Sequence, residues 1–238
     1  MTLSNLRRGA RAHGVTLDDA QAALFDRYAA LLRAWSDRAN LVADATAAVV
    51  ERRHFLESLA FGAALREREI LRPDSALLDI GSGAGLPGVV LKIAWPALRL
   101  TLLEATAKKT AFLAALVEDL GLDGVRVLTG RAEELAHDAT LRGAFDLVVA
   151  RAVAPLPVLL ELALPFARVG GRLATVKGSR TQDEVAASRR ALEVLGGRCV
   201  TFPLDVPGPR QQVVVTVKLR ETPDTYPRRA GVPSKHPL

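Results

Sequence analysis

Apolar and polar positions along the chain change their spacing near residue 75. Before that point, large apolar residues recur three or four positions apart, or at multiples of that spacing, which predicts amphipathic helices. The two apolar stripes are Leu24, Tyr28, Leu31 and Trp35, then Val49, Leu56, Leu59 and Ala63. Thr16, with Asp19 three residues on, predicts the start of the first long helix. Residues 1–72 are therefore expected to form a helical region with core-facing stripes.

From Ser75 onward, short β-rich runs alternate with helical segments. The runs are ALLDI, LRLTLLE, VRVL, FDLVVA, GRLATVK, CVTF and QVVVTVKL. Helical segments separate the first six runs, which is the pattern of an α/β domain with a mainly parallel sheet. Only PLDVPGPR joins the last two runs, so we expect them to form an antiparallel hairpin at the edge of a seven-stranded sheet. The α/β domain is predicted to span residues 73–221.

The last segment, residues 222–238, has a different composition. It holds four prolines and three basic residues, and it lacks apolar periodicity. Two interpretations fit this pattern: a disordered tail, or a basic segment that becomes ordered on an anionic partner.

Composition narrows the class of protein. Hydrophobic residues make up 49% of the 238 residues, and the net charge is +6, which favours a polyanionic partner. The single cysteine, Cys199, and four scattered histidines predict neither an internal disulfide nor a metal site. The basic N-terminus has no apolar stretch behind it, and no apolar run reaches 18 residues. We expect a cytoplasmic, monomeric protein that does not contact a membrane.

A glycine-rich loop directly follows the first predicted strand. Open parallel sheets bind ligands at the carboxyl ends of their strands, and glycine lets a ligand approach the backbone closely. Gly83-x-Gly85-x-x-Gly88 fits the dinucleotide fingerprint. Asp79-x-Gly81-x-Gly83-x-Gly85 fits a loop that holds S-adenosylmethionine. A carboxylate can help to fix the amino acid end of that ligand and would repel a pyrophosphate, so Asp79 favours S-adenosylmethionine.

The next three strands add residues at the same edge of the sheet. Glu104 ends the second strand, where a carboxylate can accept two hydrogen bonds from a ribose diol. Ala132 and Glu133 follow the third strand and would border an adenine. Arg151 follows the fourth strand. Together with the glycine loop, these residues predict a nucleoside-containing cofactor.

These motifs resemble one protein family. The segments are LLDIGSGAGLPG, LLEATAKKTAFL, GRAEEL, FDLVVARAVAPL, GGRLATVKG and YPRRAGVPSKHPL, with WSDRANLV and RRHFLES nearer the N-terminus. They are similar to the glucose-inhibited division protein B family, also called RsmG, whose members are 16S rRNA guanine-N7 methyltransferases. GLPG is the most specific of these segments. One position departs from the family pattern, because Glu57 stands where the family has aspartate.

The resemblance implies a Rossmann-like class I methyltransferase fold. It implies S-adenosylmethionine as donor, with S-adenosylhomocysteine as product, and a guanine in the helix-18 loop of 16S rRNA as acceptor. The rRNA could be free, in an assembling particle or in the finished small subunit. The implied cofactor contacts are Gly81, Leu86, Glu104, Ala105, Thr106, Ala132, Glu133 and Arg151. The implied RNA contacts are Arg53, His54, Lys177, Arg228, Arg229 and Lys235.

The chemistry of N7 methylation agrees with the residues at hand. The fourth strand ends VVARAVAPLP, without the Asn/Asp-Pro-Pro-Tyr/Phe motif typical of base-amine methylation. Cys199 is predicted to lie in the core rather than to act as a nucleophile. Lys177 could serve as a base for a 2′-hydroxyl, whereas guanine N7 loses no proton, and Arg151 would only position. Two alternatives stay open: an NAD-dependent oxidoreductase and a non-catalytic RNA-binding assembly factor.

Overall fold

A computed structural model describes residues 5–238 of the chain; the first four residues of the predicted helical region lie outside them. Each of the seven β-rich runs forms a strand. The strands are β1 (Ala76–Ile80), β2 (Arg99–Glu104), β3 (Val125–Thr129), β4 (Phe145–Ala150), β5 (Ala167–Lys177), β6 (Gly197–Leu204) and β7 (Gln211–Lys218). They form one sheet in the order β3-β2-β1-β4-β5-β7-β6.

Strands β1 to β5 are parallel, and β7 is antiparallel to both β5 and β6. The chain order reverses between β1 and β4, so the carboxyl ends of these two strands flank the position where open α/β sheets bind ligands. The predicted α/β class and the predicted hairpin at the sheet edge are confirmed. The sequence did not reveal that β7 would insert between β5 and β6.

The helices follow the order that the periodicity predicts. They are α1 (Leu6–Ala12), α2 (Asp19–Ala39), α3 (Ala47–Val49), a π-helix (Val50–Leu56), α4 (Glu57–Glu67), α5 (Gly88–Ala94), α6 (Ala107–Leu120), α7 (Ala132–Leu135), α8 (Leu156–Ala163), α9 (Thr181–Ala187), α10 (Arg189–Leu195) and α11 (Val232–Lys235). Helix α2 begins after Asp18 rather than at Thr16, because Asp18 and Gln21 form a reciprocal capping box.

The π-helix stands at the centre of the second predicted helix. A π-helix bonds i to i+5, whereas the following α4 bonds i to i+4, so the change of register skips one backbone carbonyl. The Arg53 carbonyl lies near this junction and accepts a hydrogen bond from Arg151 Nη2 at 2.6 Å. The widened turn therefore ties the helical region to the end of β4.

Two hydrophobic cores lie on opposite faces of the sheet, because alternate strand residues point to opposite sides. Leu77 and Val149 belong to the first core, and Leu78 and Val148 belong to the second. The helical region, α5 and α6 cover the first face, while α8 and α10 cover the second. The helical region thus shares one core with the sheet. Tyr28, buried on α2, also donates a hydrogen bond to the Ala84 carbonyl at 2.5 Å.

The tail, residues 222–238, packs against the second face of the sheet domain, where Tyr226 and Leu238 contact the core. Arg228 Nη2 donates to Glu161 Oε2 at 2.7 Å, and that carboxylate is completely buried. Pro227 and His137 are joined by a hydrogen bond of 2.9 Å. In the structure the tail therefore packs against the domain through these contacts, which differs from the interpretation of a disordered tail.

Among residues 5–238, no helix combines the length and the apolar character needed to cross a membrane.

Candidate active site

The glycine loop leaves β1 and turns over the carboxyl edge of the sheet. Gly81, Gly83 and Gly85 have φ values of 66°, 53° and 87°, in the left-handed region that glycine adopts without strain. A Cβ on Gly81 would collide with Val153, and one on Gly85 would collide with Val89. A Cβ on Gly83 would meet nothing closer than 3.7 Å. Gly83 therefore presents an open backbone surface to a ligand, while the other two are needed for packing.

Gly88 is needed for a different reason. Its amide donates to Asp79 Oδ2 at 2.9 Å, and a Cβ there would lie 2.7 Å from the same oxygen. Helix α5 begins at Gly88, so the carboxylate of Asp79 occupies the helix N-terminus that a pyrophosphate would need. The last glycine of the dinucleotide fingerprint, Gly88, therefore binds the Asp79 carboxylate.

Asp79 is completely buried beneath the loop. Burial raises the pKa of Asp79 to about 7, with a smaller contribution from Glu104, against the opposing hydrogen bond from Gly88. Its second oxygen, Oδ1, has no hydrogen-bond partner within residues 5–238. Buried polar atoms are normally paired, so this oxygen is an exception among the described residues.

Glu104 organises the loop from the end of β2. Its two carboxylate oxygens accept hydrogen bonds from the amides of Gly83 at 3.0 Å and Thr106 at 2.9 Å. Each oxygen keeps a second lone pair. The side chain is nearly buried and can still accept two further hydrogen bonds from a diol, as the sequence predicts. Ala105 and Thr106, which follow it, are exposed.

Glu133, at the start of α7, faces the tail. Its carboxylate accepts hydrogen bonds from Arg131 Nη2 at 2.8 Å and from the Gly231 amide at 3.2 Å. Burial opposes ionisation, but these hydrogen bonds hold the pKa of Glu133 below its usual value. Both hydrogen bonds end on Oε1 of the carboxylate that was predicted beside an adenine. The contact of Ala132 and Glu133 with an adenine stays a prediction.

Arg151 connects the end of β4 to the π-helix. Besides the Arg53 carbonyl, its Nη2 contacts Glu57 Oε2 at 3.3 Å and His54 Nδ1 at 3.5 Å. Burial lowers the pKa of Arg151, and Glu57 opposes this effect. Glu57, where the family has aspartate, thus reaches the arginine. The guanidinium is fixed at several points, which suits positioning rather than proton transfer.

His54 lies beside Arg151 and is neutral at physiological pH. Burial lowers the pKa of His54 to about 4, with contributions from the positive charges of Arg151 and Arg53. Its Nε2 is buried and has no partner within the described part of the chain. A neutral imidazole with one free nitrogen can donate or accept a single hydrogen bond.

These residues surround a cavity of about 310 Å³ at the carboxyl edge of β1 and β4. Predicted residues that line it are Gly81, Gly83, Leu86, His54 and Arg151. Asp79, Gly85 and Glu104 do not line the cavity. Glu104 contacts the lining residue Gly83 by accepting a hydrogen bond from its amide.

Seven lining residues were not predicted from the sequence: Leu41, Val42, Ala43, Ser82, Ala84, Lys109 and Ala152. The first three follow α2, so the helical region contributes a wall of the cavity. The segment WSDRANLV, among those that resemble the family, contains Leu41 and Val42 and was the signal that could have located these two.

The predicted RNA contacts divide into two groups. Lys177 Nζ donates to the Ala154 carbonyl at 2.7 Å and pairs with Glu184 at 2.9 Å, and Arg228 pairs with Glu161. Their charges are therefore compensated within the chain. Arg53, Arg229 and Lys235 are exposed.

Comparison with known proteins gives consistent results. The family model described as "rRNA small subunit methyltransferase G" matches residues 21–213. Proteins named ribosomal RNA small subunit methyltransferase G are similar throughout. The one from Chloroflexus aggregans is 45% identical, covering 95% of this chain and 94% of its own length. The one from Roseiflexus sp. is 46% identical, covering 96% of this chain and 97% of its own length.

Among solved structures, a SAM-dependent methyltransferase from Aquifex aeolicus has a similar fold. Its TM-score is 0.51 at 18% identity, over 68% of this chain and 93% of that chain. This likeness concerns the fold, and it agrees with the Rossmann-like class I architecture predicted from the sequence.

Proposed function

Because the chain belongs to the rRNA small subunit methyltransferase G family, we propose that it methylates N7 of a guanine in the helix-18 loop of 16S rRNA. The proposed methyl donor is S-adenosylmethionine, which is released as S-adenosylhomocysteine. We further propose that the enzyme acts as a monomer in the cytoplasm, where its rRNA substrate resides.

The observation that carries the choice of donor is the contact between Asp79 and Gly88. It leaves no free helix N-terminus for a pyrophosphate, which argues against the NAD-dependent alternative. A ribose-containing ligand such as S-adenosylmethionine suits an edge that offers the open backbone face of Gly83 and spare lone pairs on Glu104. S-adenosylmethionine supplies an electrophilic methyl group when it is bound.

We assign the residues of the site as follows. Gly81, Gly83 and Leu86 would face the cofactor directly, with Asp79 and Gly85 shaping the loop from behind. Glu104 would hold the ribose, and Ala105 and Thr106 would follow it along the same edge. The backbone of Ala132 and Glu133 would border the adenine. Arg151 and His54 would stand between the cofactor and the acceptor.

The chain's own part in catalysis is then positioning. Guanine N7 is a lone-pair acceptor that loses no proton, so no general base is required. Lys177, the candidate base for a 2′-hydroxyl, is engaged with Glu184, which favours N7. Holding donor and acceptor in line can supply on the order of 7–11 kcal/mol of a barrier. Arg151, fixed by Arg53 and Glu57, is the proposed positioning residue.

The test is transfer of a labelled methyl group from S-adenosylmethionine to rRNA from a strain that lacks this protein. Free 16S rRNA, assembling particles and finished small subunits are assayed separately, and the labelled nucleoside is identified by mass. We expect 7-methylguanosine at a single position. Binding of NAD instead of S-adenosylmethionine would support the oxidoreductase. RNA binding without methyl transfer would support the assembly factor.

A further inference from the structure

A second cavity, of about 650 Å³, opens beside the cofactor cavity. The two cavities share Arg151 and Ala152. The volume falls within the range of about 300–1,000 Å³ that is usual for ligand sites. Its walls come from the π-helix, from the end of β5 and from the loop that joins β6 to β7.

The charge of this second cavity is strongly positive and only partly compensated. Arg52 and Arg53 on the π-helix and Arg210 in the β6–β7 loop all line it, and all three are exposed. No hydrogen bond or ion pair of these three side chains is found within the part of the chain that the structure describes. The other two cations of the cavity have partners, since Arg151 contacts Glu57 and Lys177 pairs with Glu184.

We propose that Arg52, Arg53 and Arg210 bind backbone phosphates of single-stranded RNA on either side of the acceptor base, so that the β6–β7 loop is part of the substrate site. This inference rests on the proposed function and adds its substrate contacts. Free arginines on two walls of one cavity suit an extended polyanion, because each guanidinium can bind a phosphate in bidentate fashion. Arg151 and Ala152, shared by both cavities, bring the base between those phosphates to the cofactor.

Sequence reasoning identified Arg53 only. Arg210 lies in PLDVPGPR, which the sequence marks as a connection between two strands. It reaches the site because β7 inserts beside β5, which brings the loop before β7 to the carboxyl end of β5 and its Lys177. Arg52 is adjacent to Arg53, and the wide turn of the π-helix brings both to the same cavity.

The test compares Arg52→Gln, Arg210→Gln and the double variant with Arg198→Gln. Arg198 is an exposed arginine of β6, on the same hairpin and at the opposite end of that strand from the loop. Dissociation constants for a single-stranded 16S rRNA fragment that contains the helix-18 loop are measured at several salt concentrations. Thermal unfolding and S-adenosylmethionine binding are measured in parallel.

We expect each single substitution at the cavity to weaken RNA binding about 10-fold. The slope of log affinity against log salt should decrease by about 0.7 for each phosphate that is no longer bound. Arg198→Gln should bind as the wild type does, and cofactor affinity should be unchanged in all variants. Equal RNA affinities and slopes for Arg52→Gln, Arg210→Gln and Arg198→Gln would overturn the proposal, as would a wild type that does not bind the fragment.

RNA binding is measured without methyl transfer, so the two proposals fail in different ways. A wild type that binds RNA through these arginines and transfers no methyl group would contradict the proposed function alone. A wild type that methylates rRNA and is indifferent to Arg52 and Arg210 would contradict this inference alone.

Discussion

Charged and polar groups of the tail have partners within residues 5–238, whereas several at the carboxyl edge of the sheet do not. In the tail, Arg228 meets a fully buried carboxylate, and the Gly231 amide meets Glu133. At the carboxyl edge, Asp79 Oδ1 and His54 Nε2 are buried without partners among the described residues. Arg52 and Arg210 line a cavity nearby without ion pairs in that same part of the chain.

This difference shows that the charge of a segment in the sequence does not indicate whether its basic side chains are free to bind a partner. Both regions are basic in sequence, with Arg52 and Arg53 in one and Arg228 and Arg229 in the other. A buried polar group is normally paired, so pairing within the chain indicates a structural role. Exposed cations that the described part of the fold leaves unpaired, such as Arg52 and Arg210, are free to bind a partner outside the chain.

The largest expected effect comes from removing the tail arginine that neutralises the buried Glu161 carboxylate. Arg228→Met keeps the aliphatic stem and leaves the buried carboxylate of Glu161 with a single backbone donor. We expect the free energy of unfolding to fall by about 3–5 kcal/mol, measured by urea denaturation. Arg229→Met, at the exposed neighbour, is the control and should change stability by less than about 0.5 kcal/mol. Equal stability of the two variants would mean that the ion pair does not hold the tail.

The second prediction concerns the uncompensated carboxylate at the carboxyl edge. The pKa of Asp79 is about 7 when folded, against an ordinary value of 3.8. The folded state therefore holds this proton more tightly than the unfolded chain does. The stabilisation that this tighter proton binding by Asp79 contributes is fully present below about pH 4 and is lost as the pH rises through about 7.

Asp79→Asn should abolish that loss. The difference in unfolding free energy between wild type and variant should change by about 2.5 kcal/mol between about pH 5 and about pH 8. Asp183→Asn, at an exposed position on α9, is the control and should follow the wild-type profile. Parallel profiles for the wild type and Asp79→Asn would contradict the assigned pKa.

A third prediction tests the edge as a ligand site. Glu104→Gln replaces one acceptor oxygen by a donor that would face a backbone amide. We expect the dissociation constant for S-adenosylmethionine to rise about 10-fold, measured by calorimetry. Glu134→Gln, on the exposed side of α7, should leave it unchanged. Unaltered binding by Glu104→Gln would remove this carboxylate from the proposed ribose contact.

The smallest expected effect concerns the exposed cations of the tail. Arg229 and Lys235 are exposed and do not line the second cavity, so we expect them to contribute mainly long-range attraction to RNA. The double variant Arg229→Gln, Lys235→Gln should weaken binding of the helix-18 fragment about 2-fold. A decrease as large as that expected for Arg210→Gln would show that the tail is also a primary RNA surface.

Much of the fold could be predicted because local pattern and global structure agree. The strands follow runs such as ALLDI and FDLVVA, which alternate with helical segments. The glycine loop was also predictable, since Gly83 needs a backbone conformation that few residues adopt. The sequence argument set Asp79 apart from a pyrophosphate site, and the contact between Asp79 and the Gly88 amide was not foreseen.

The remaining features depend on contacts that are distant in sequence. Glu133 meets the tail across 98 positions, and Arg228 meets Glu161 across 67. No local pattern encodes such pairs. The π-helix has the same apolar periodicity as an α-helix within the precision of a short segment, so spacing alone could not distinguish them. Arg210 depends on strand order, which the sequence leaves open.

The π-helix also sets the rotation of α3 about the helix axis relative to α4. In an α-helix each residue advances the chain by about 100°, so the wider turn over Val50–Leu56 shifts α3 relative to α4 in the way that one inserted residue would. Removing one residue from this segment would allow a regular α-helix and would turn the Arg53 carbonyl away from Arg151. The length of the segment therefore keeps the helical region aligned with the sheet, and engineered variants must preserve it.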